Sequence, residues 1–239
     1  MKILTSLLLA FAAPAGAAVL VSTSFTGVTA TGATLNNIVW TSNSHFTPSI
    51  TATVVGATAY QTTNSLNNGQ VTPSVNVQTA AVSPGTPVWT MDFSVAYALT
   101  NTADTISLQS ISFNGITRDS TSGVQQNARY ISYTASIVSS TGTVLATGSL
   151  EQQIPANSST GLAYTINLSG DVELSSADLG GDAGSYTIRI SANKPSSEAL
   201  GAFAGIDNLA LNGTYNVVPE PSVAILGLVG ALGILRRRR

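Results

Sequence analysis

A strict alternation of side-chain types over residues 88–99 constrains the fold of this chain more than any other feature. Large apolar residues occupy every second position, with small or polar residues between them. In an extended segment this places one face in a core and the other in solvent. The pattern predicts a half-buried antiparallel strand, and it favours core positions over a sugar-binding platform for the apolar set Trp89, Met91, Phe93, Val95, Tyr97 and Leu99.

The same period of two recurs through the central part of the chain. It predicts further strands at residues 106–113, 131–137, 144–150, 162–168, 186–190 and 205–214. Weaker patterns predict strands at Val19–Phe25, Ile50–Val55 and Val71–Ala81. Short strands with turns at intervals of about 8–12 residues are typical of a sandwich or a barrel. We therefore expect an all-β fold, with a single antiparallel β-sandwich over residues 18–216.

Local signals predict a bulge, two turns and a helical turn. The alternation slips by one residue within 106–113, which predicts a β-bulge near Gln109–Ser110. Asn114-Gly115 is a turn signal, and Ser140-Thr141-Gly142 is expected to close a hairpin. Ser175–Asp178 is expected to form one helical turn, with Ser175 or Ser176 as its cap.

The run Ile-Asp-Asn-Leu-Ala-Leu lies in the last predicted strand, Gly205–Thr214. It is similar to the closing strand of jelly-roll domains of the carbohydrate-binding or lectin-like kind, over this short stretch only. The resemblance implies a jelly-roll sandwich in which Asp207 and Asn208 lie near a sheet edge, where some relatives bind a structural Ca²⁺.

Residues 1–17 have the layout of a secretory signal peptide. Lys2 supplies the charged region, Ile3–Ala13 the apolar region, and Ala15-Gly16-Ala17 an A-x-A cleavage site. We expect export and cleavage after Ala17, with a weaker alternative one residue later. The chain has no cysteine, so an exported domain must be stabilised by burial rather than by disulfides.

Three elements in a fixed order end the sequence. Pro219 and Pro221 fix φ and remove two backbone donors, so Pro219-Glu220-Pro221 should be extended and accessible. The apolar run Val223–Leu235 would form a helix about 20 Å long, whereas a hydrocarbon core of about 30 Å normally needs roughly 20 apolar residues. The terminal basic block predicts a cytoplasmic end and consists of Arg236, Arg237, Arg238 and Arg239.

Together these elements closely resemble the PEP-CTERM sorting signal of Gram-negative bacteria. The resemblance covers residues 217–239, with Pro219-Glu220-Pro221 as the sorting motif, 223–235 as a short transmembrane helix and the arginines as a basic stop. It implies recognition by an exosortase, a membrane-embedded enzyme of the cysteine-transpeptidase kind. It further implies transit through the inner membrane, removal of the tail, and release to the cell surface or extracellular space. Such proteins accompany exopolysaccharide and biofilm, but their ectodomains are diverse.

The charge that remains after removal of both terminal signals is acidic. Residues 18–218 keep four basic and ten acidic residues, a net charge of about −6. No basic patch remains outside the tail, which disfavours nucleic-acid binding. A surface dominated by Ser, Thr, Asn, Gln and Gly suits hydrated, polysaccharide-rich surroundings.

Residue types that could carry catalysis are sparse. With His45 as the single histidine and no cysteine, zinc and cysteine chemistry are disfavoured, and no serine lies in a nucleophile-elbow motif. Glycoside hydrolysis needs two carboxyl groups about 5–10 Å apart. Asp171 with Glu173, Asp92 and Asp119 are the candidates, but no pair stands out. We therefore expect no enzymatic activity.

Two acidic regions offer weak candidates for calcium. Asp178 and Asp182 flank a Leu-Gly-Gly segment, and Asp207 lies in the last predicted strand. Carboxylate oxygens beside glycines can hold Ca²⁺ in a loop, although this spacing differs from an EF-hand. A plain glycine-rich turn is the favoured alternative, and no other cofactor is expected.

The leading hypothesis is a non-enzymatic, exported protein of the cell surface or the extracellular polysaccharide matrix. One alternative is a glycan-binding module, with or without Ca²⁺. Trp40 and Tyr60 lie in less periodic segments and are therefore better sugar platforms than Trp89. A secreted glycoside hydrolase is the other alternative.

Overall fold

The computed structural model describes residues 18–57, 71–73, 75–119, 123–170, 173–179, 181–197 and 202–218. Over these residues the chain is almost entirely β, with a single helical turn. The predicted signal peptide, Tyr60, Asp171 and the tail from Pro219 onward lie outside the described residues. No helix within the described ranges has the length and apolar character needed to cross a bilayer.

The described residues form fourteen strands and one short helix. In chain order these are β1 (Ala18–Thr23), β2 (Thr29–Thr31), β3 (Thr34–Asn36), β4 (Thr41–Ser42), β5 (Phe46–Val55), β6 (Pro87–Ala98), β7 (Thr105–Arg118), β8 (Arg129–Ser139), β9 (Val144–Ile154), β10 (Leu162–Asn167), β11 (Ser169–Gly170), β12 (Glu173–Ser175), α1 (Ser176–Leu179), β13 (Ala183–Asn193) and β14 (Phe203–Asn216).

Two antiparallel sheets pack face to face in a β-sandwich. The six-stranded sheet has the order β10-β7-β14-β1-β4, with β12 also paired to β7. The eight-stranded sheet has the order β11-β9-β8-β13-β6-β5-β3-β2. Inward side chains of both sheets form one continuous core. The alternation that predicted β6 is confirmed, since the five large apolar residues of this set within the strand are at most 3% exposed and Leu99, directly after it, is 8% exposed.

The predicted β-bulge in β7 is confirmed. Asn212 of β14 faces Ser110, and the next residue, Gly213, faces Leu108, so Gln109 has no counterpart on β14. Gln109 is exposed while both of its neighbours are buried. The extra residue resets the phase, so the apolar residues on both sides of the bulge face the core.

The predicted turn at Asn114-Gly115 is wrong, because both residues lie inside β7. Gly115 is required for close packing instead. A Cβ atom there would lie 2.4 Å from Cε2 of Tyr164 and 2.9 Å from Cε2 of Tyr133.

The strand predicted at Val71–Ala81 is also absent from the described residues of that segment, where the pairing to β14 consists of isolated bridges.

The predicted hairpin and helical turn are confirmed. Residues 140–143 connect β8 to β9, and Gly142 has the positive φ of +87° that favours glycine. At the start of α1, the backbone N–H of Asp178 donates to the Ser175 hydroxyl, and the N–H of Ser175 donates to the Asp178 carboxylate. This reciprocal capping box identifies Ser175, rather than Ser176, as the N-cap.

Two buried phenols connect the sheets in opposite directions. Tyr133 of β8 donates from its hydroxyl to the carbonyl oxygen of Gly205 in β14, at 2.6 Å. Tyr164 of β10 donates across the core to the carbonyl of Ile131 in β8, at 3.0 Å. The two rings meet edge to face, with centroids 4.8 Å apart. Each sheet is therefore fixed to the backbone of the other near Gly115.

Replacing Gly115 with alanine should destabilise the sandwich. The added methyl overlaps two buried rings that cannot move without breaking the inter-sheet hydrogen bonds, so we expect a loss of about 1–3 kcal/mol in the free energy of unfolding. Urea denaturation measures the loss. Asn114→Ala is the matched control, since this neighbour is on the half-buried outer face, and it should change stability by less than about 0.5 kcal/mol. Equal effects of the two variants would contradict the packing role.

The buried tyrosines predict alkaline destabilisation. Burial raises the pKa of Tyr133, Tyr164 and Tyr186 above the ordinary value, which is about 10 in an unfolded chain. Above that pH the unfolded chain releases phenolic protons that the folded chain retains. The free energy of unfolding should therefore be unaffected by these groups below pH 10 and should fall as the pH rises above it. Urea titrations between pH 8 and 11 measure the slope.

Tyr186→Phe is the control for this slope. Among the described residues the buried Tyr186 hydroxyl has no hydrogen-bond partner, so its removal should leave stability at pH 7 unchanged or improved. The variant should also show a shallower alkaline loss than the wild type. An identical slope would mean that Tyr186 does not contribute to the pH dependence.

Candidate functional site

The open side of the sandwich is crossed by residues 37–40, which connect β3 of the larger sheet to β4 of the smaller one. Ile38 is buried, and its N–H donates to the carbonyl of Ile50 at 2.9 Å. Val39 projects outward and is 73% exposed. We call residues 38–41 the Val39 ridge. Val39 lines two clefts, one that also contains Trp40 and one that also contains Asn208.

The first cleft is apolar and has a volume of about 380 Å³. Trp40 lies in it half-buried, with its Nε1–H donating to the carbonyl of Ser49 at 2.8 Å. The indole packs edge to face on the core residue Phe93, with centroids 5.9 Å apart. Ile50, which is 64% exposed, also lines this cleft. The apolar cleft therefore presents an oriented indole beside exposed aliphatic groups.

The second cleft is rich in hydroxyl groups and has a volume of about 480 Å³. Its polar lining consists of Ser22, Thr23, Ser24, Thr26, Thr41 and Asn208. Phe25, between two of these residues, is held at a φ of +55° with its ring buried against Phe93. A bulky residue in the left-handed region is strained and persists only where packing imposes it. The buried ring thus fixes the backbone that carries the hydroxyls.

Asn208 reaches the hydroxyl cleft through an irregularity in β14. The pairing of β14 with β7 shifts between Asp207 and Ala210, and Asn208 has a φ of +53°. β14 is an interior strand of the smaller sheet, but its pairing with β1 stops at Leu209, so Asp207 and Asn208 lie where β14 has lost this neighbour. Asn208 is exposed because β1 ends opposite Leu209. This position depends on strand lengths that no local sequence pattern specifies.

Asp207 itself points away from solvent. The residue is 9% exposed, and its carboxylate accepts hydrogen bonds from the backbone N–H and the side-chain amide of Asn208, at 2.8 and 2.9 Å. Burial raises the pKa of this carboxyl, against the opposing effect of the backbone N–H. Asp207 therefore orients the Asn208 amide at the cleft rather than lining the cleft itself.

The other weak calcium candidates lie at α1. Asp178 uses its carboxylate in the capping box with Ser175. Asp182 accepts a backbone hydrogen bond from Leu99 through its carbonyl oxygen. Among the described residues no group of three or more His, Cys, Asp or Glu side chains could hold a metal ion.

The carboxylates considered for hydrolysis are hydrogen-bonded on separate elements. Asp92 of β6 forms a bidentate ion pair with Arg189 of β13, with N–O distances of 2.7 and 2.8 Å. The hydrogen bond to Asp92 raises the pKa of Arg189. Asp119, after β7, accepts from the N–H of Gly123, and Glu173 of β12 accepts from Thr105. Asp92 and Glu173 thus belong to different sheets.

A buried carboxylate that the sequence analysis did not single out is Asp104, in the turn between β6 and β7. It is 0% exposed and accepts hydrogen bonds from the hydroxyl of Tyr215 and from three backbone N–H groups, those of Thr100, Asn101 and Val218. Burial alone would raise the pKa of Asp104, but these hydrogen bonds outweigh it and lower the pKa. The sequence Asn-Thr-Ala-Asp at residues 101–104 is typical of a turn, and this signal could have indicated the turn that contains Asp104.

His45 lies beside this turn. Its ring stacks on Tyr215, with centroids 3.7 Å apart and planes 7° from parallel. The sequence placed His45 in a loop, and the structure places it in the turn that precedes β5.

Comparison with known proteins assigns no family. No protein-family model and no curated protein matches the chain. Among solved structures, the chain is similar to the solution structure of CtCBM11, with 15% identity, 85% of this chain and 99% of that chain covered, and a TM-score of 0.32. It is also similar to a structure of infectious bursal disease virus, Gx strain, with 13% identity, coverage of 73% and 35%, and a TM-score of 0.26. Likeness at this level identifies neither a ligand nor an activity.

Proposed function

We propose that the β-sandwich is a glycan-binding module and that the Val39 ridge is its binding site. The supporting observation is the pair of clefts that share Val39, one apolar with an oriented indole and the other lined by hydroxyls and an amide. Sugar rings carry apolar C–H faces and a rim of hydroxyls. A ring can pack against Trp40 and Ile50 while its hydroxyls, or those of the next ring, bond across the ridge. Both volumes lie in the range of about 300–1,000 Å³ typical of ligand sites.

The site favours a neutral glycan. Among the described residues that line the two clefts, none has a charged side chain. A uronate or a sulfated sugar would need a cation to offset the cost of desolvating its anion. Asn208 and the hydroxyls supply donors and acceptors without net charge, so hydroxyl-rich, uncharged chains are the best match.

We infer further that the protein is exported and sorted by an exosortase into the extracellular polysaccharide. The two predicted terminal signals support this route, as do the absence of cysteine and the low content of charged residues. A glycan-binding domain delivered to that matrix would meet its ligand there. We also propose that the sandwich has the jelly-roll topology of lectin-like domains.

Substitutions at the Val39 ridge should weaken glycan binding without unfolding the domain. Val39→Glu places a charge between the clefts, and Asn208→Gly removes the amide while keeping a residue that tolerates positive φ. Each should weaken binding to the producer's own exopolysaccharide about tenfold or more, equivalent to about 1.4 kcal/mol. Isothermal titration calorimetry, with and without chelator, measures the change.

Val144→Glu is the matched control, because this valine is also exposed, at 53%, but lies at the start of β9. It should bind like the wild type. The site assignment is wrong if Val39→Glu and Val144→Glu bind equally. Absence of heat with the wild-type protein under all conditions would remove the glycan-binding proposal.

Sorting predicts a processed product that depends on the motif. When the full chain is expressed in cells with an exosortase, the secreted form should lack the tail. In cells without the enzyme, the tail should remain attached. Replacing Pro219, Glu220 and Pro221 with alanine should leave the tail attached in both. Intact mass spectrometry distinguishes the forms, and a tail retained by the wild type in both strains contradicts exosortase sorting.

A further inference from the structure

The backbone of Val218 is held by side chains rather than by a neighbouring strand. Its N–H donates to Oδ1 of Asp104 at 2.9 Å, and its carbonyl accepts from Nδ2 of Asn101 at 3.2 Å. Both side chains come from the turn 100–104 between β6 and β7. This turn therefore satisfies both backbone groups of Val218, which lies two residues after the end of β14.

The turn is itself rigidly organised. The other carboxylate oxygen of Asp104, Oδ2, accepts from the Tyr215 hydroxyl at 2.7 Å and from the N–H groups of Thr100 and Asn101. The Asn101 side chain also accepts from the N–H of Ala103, at 2.8 Å. A fully buried carboxylate with four donors is costly to displace, because the carboxylate would lose the hydrogen bonds that offset its removal from water.

The turn binds the main chain and leaves the side chains free. Val217 is 58% exposed and Val218 is 43% exposed, so much of each residue is left in contact with solvent. The next residue, Pro219, has no N–H and cannot continue a hydrogen-bonded ladder. Among the described residues, the last backbone that is held by hydrogen bonds is that of Val218, directly before the proposed sorting motif.

We propose that the turn 100–104 is a positioning site for tail processing. By binding the backbone of Val218, it holds the chain directly before Pro219–Pro221, which the two prolines are expected to keep extended and accessible. Proteases act on extended, accessible backbone, and hydrogen-bonded backbone is cut only when it opens. The turn therefore confines cleavage to the motif and keeps residues up to Val218 with the domain. This inference rests on the proposed sorting function for its biological role, but the boundary can be tested without it.

The first experiment is limited digestion of the purified full chain with proteinase K, followed by intact mass spectrometry. The wild-type product should end at or after Val218. Two variants weaken the turn: Asp104→Asn, which places an amide N–H₂ opposite the hydrogen-bond donors, and Asn101→Ala. In both variants the product should end upstream of Val218, within residues 214–217. Val218 should be removed about tenfold faster than in the wild type. Asp92→Asn is the matched control, since it alters a carboxylate in the middle of β6, and its product should match that of the wild type.

Melting temperatures separate a local from a global effect. If Asp104→Asn fails to fold, Asn101→Ala decides, because it removes the bond to the Val218 carbonyl and keeps the buried carboxylate. Identical end points in the wild type and the folded variants would overturn the proposal.

The second experiment compares the same variants in cells with an exosortase. The unprocessed fraction should rise about threefold or more in Asn101→Ala and should not change in Asp92→Asn. If the wild type is processed and the variants are processed equally, sorting stands and the positioning role is wrong. If the wild type is never processed, sorting fails, while the protease result still decides whether the turn sets the boundary.

Discussion

The two phenol hydrogen bonds between the sheets are the interaction on which the rest of the structure depends. Tyr133 donates from the larger sheet to the smaller one, and Tyr164 donates in the opposite direction. With partners in both directions, the sheets cannot slide without leaving a buried hydroxyl unpaired, which costs about 1–3 kcal/mol for each group. The close ring contact also explains Gly115, whose missing side chain makes room for both rings.

The candidate binding site follows from this fixed spacing. Because the sheets hold a constant separation, residues 37–40 can cross the open side and bury Ile38 while Val39 faces outward. Phe93 is the shared core contact of the two clefts, since the ring of Phe25 and the indole of Trp40 each pack on it. The glycan-binding proposal thus depends on side chains whose orientation is set by the core. No residue of the turn 100–104 is among the described residues that line either cleft, so binding and processing can be tested with separate variants.

Much of the fold could be predicted because each pattern had a local physical cause. The alternation of β6 and the slip at Gln109 both reflect which side chains must avoid water, and both were confirmed. Asn114-Gly115 misled the prediction because glycine serves two purposes. It tolerates positive φ in turns, but it also permits close packing, and only the rings of residues distant in sequence show which applies. The exposure of Asn208 could not be predicted, because it depends on where β1 ends beside β14, which is not a local property.

The sequence by itself determined the all-β class, most strand positions, the bulge, the capped helical turn and the proposal of a sorting tail. These depend on side-chain type at short spacing, where solvation and backbone preference act residue by residue. Tertiary structure alone decided that Val39, Trp40 and Asn208 meet at one ridge, and that Asp104 holds Val218. Residues 104 and 218 are far apart in the chain and become partners only when β6, β7 and β14 have formed. Such contacts arise from strand order and register, which local patterns do not encode.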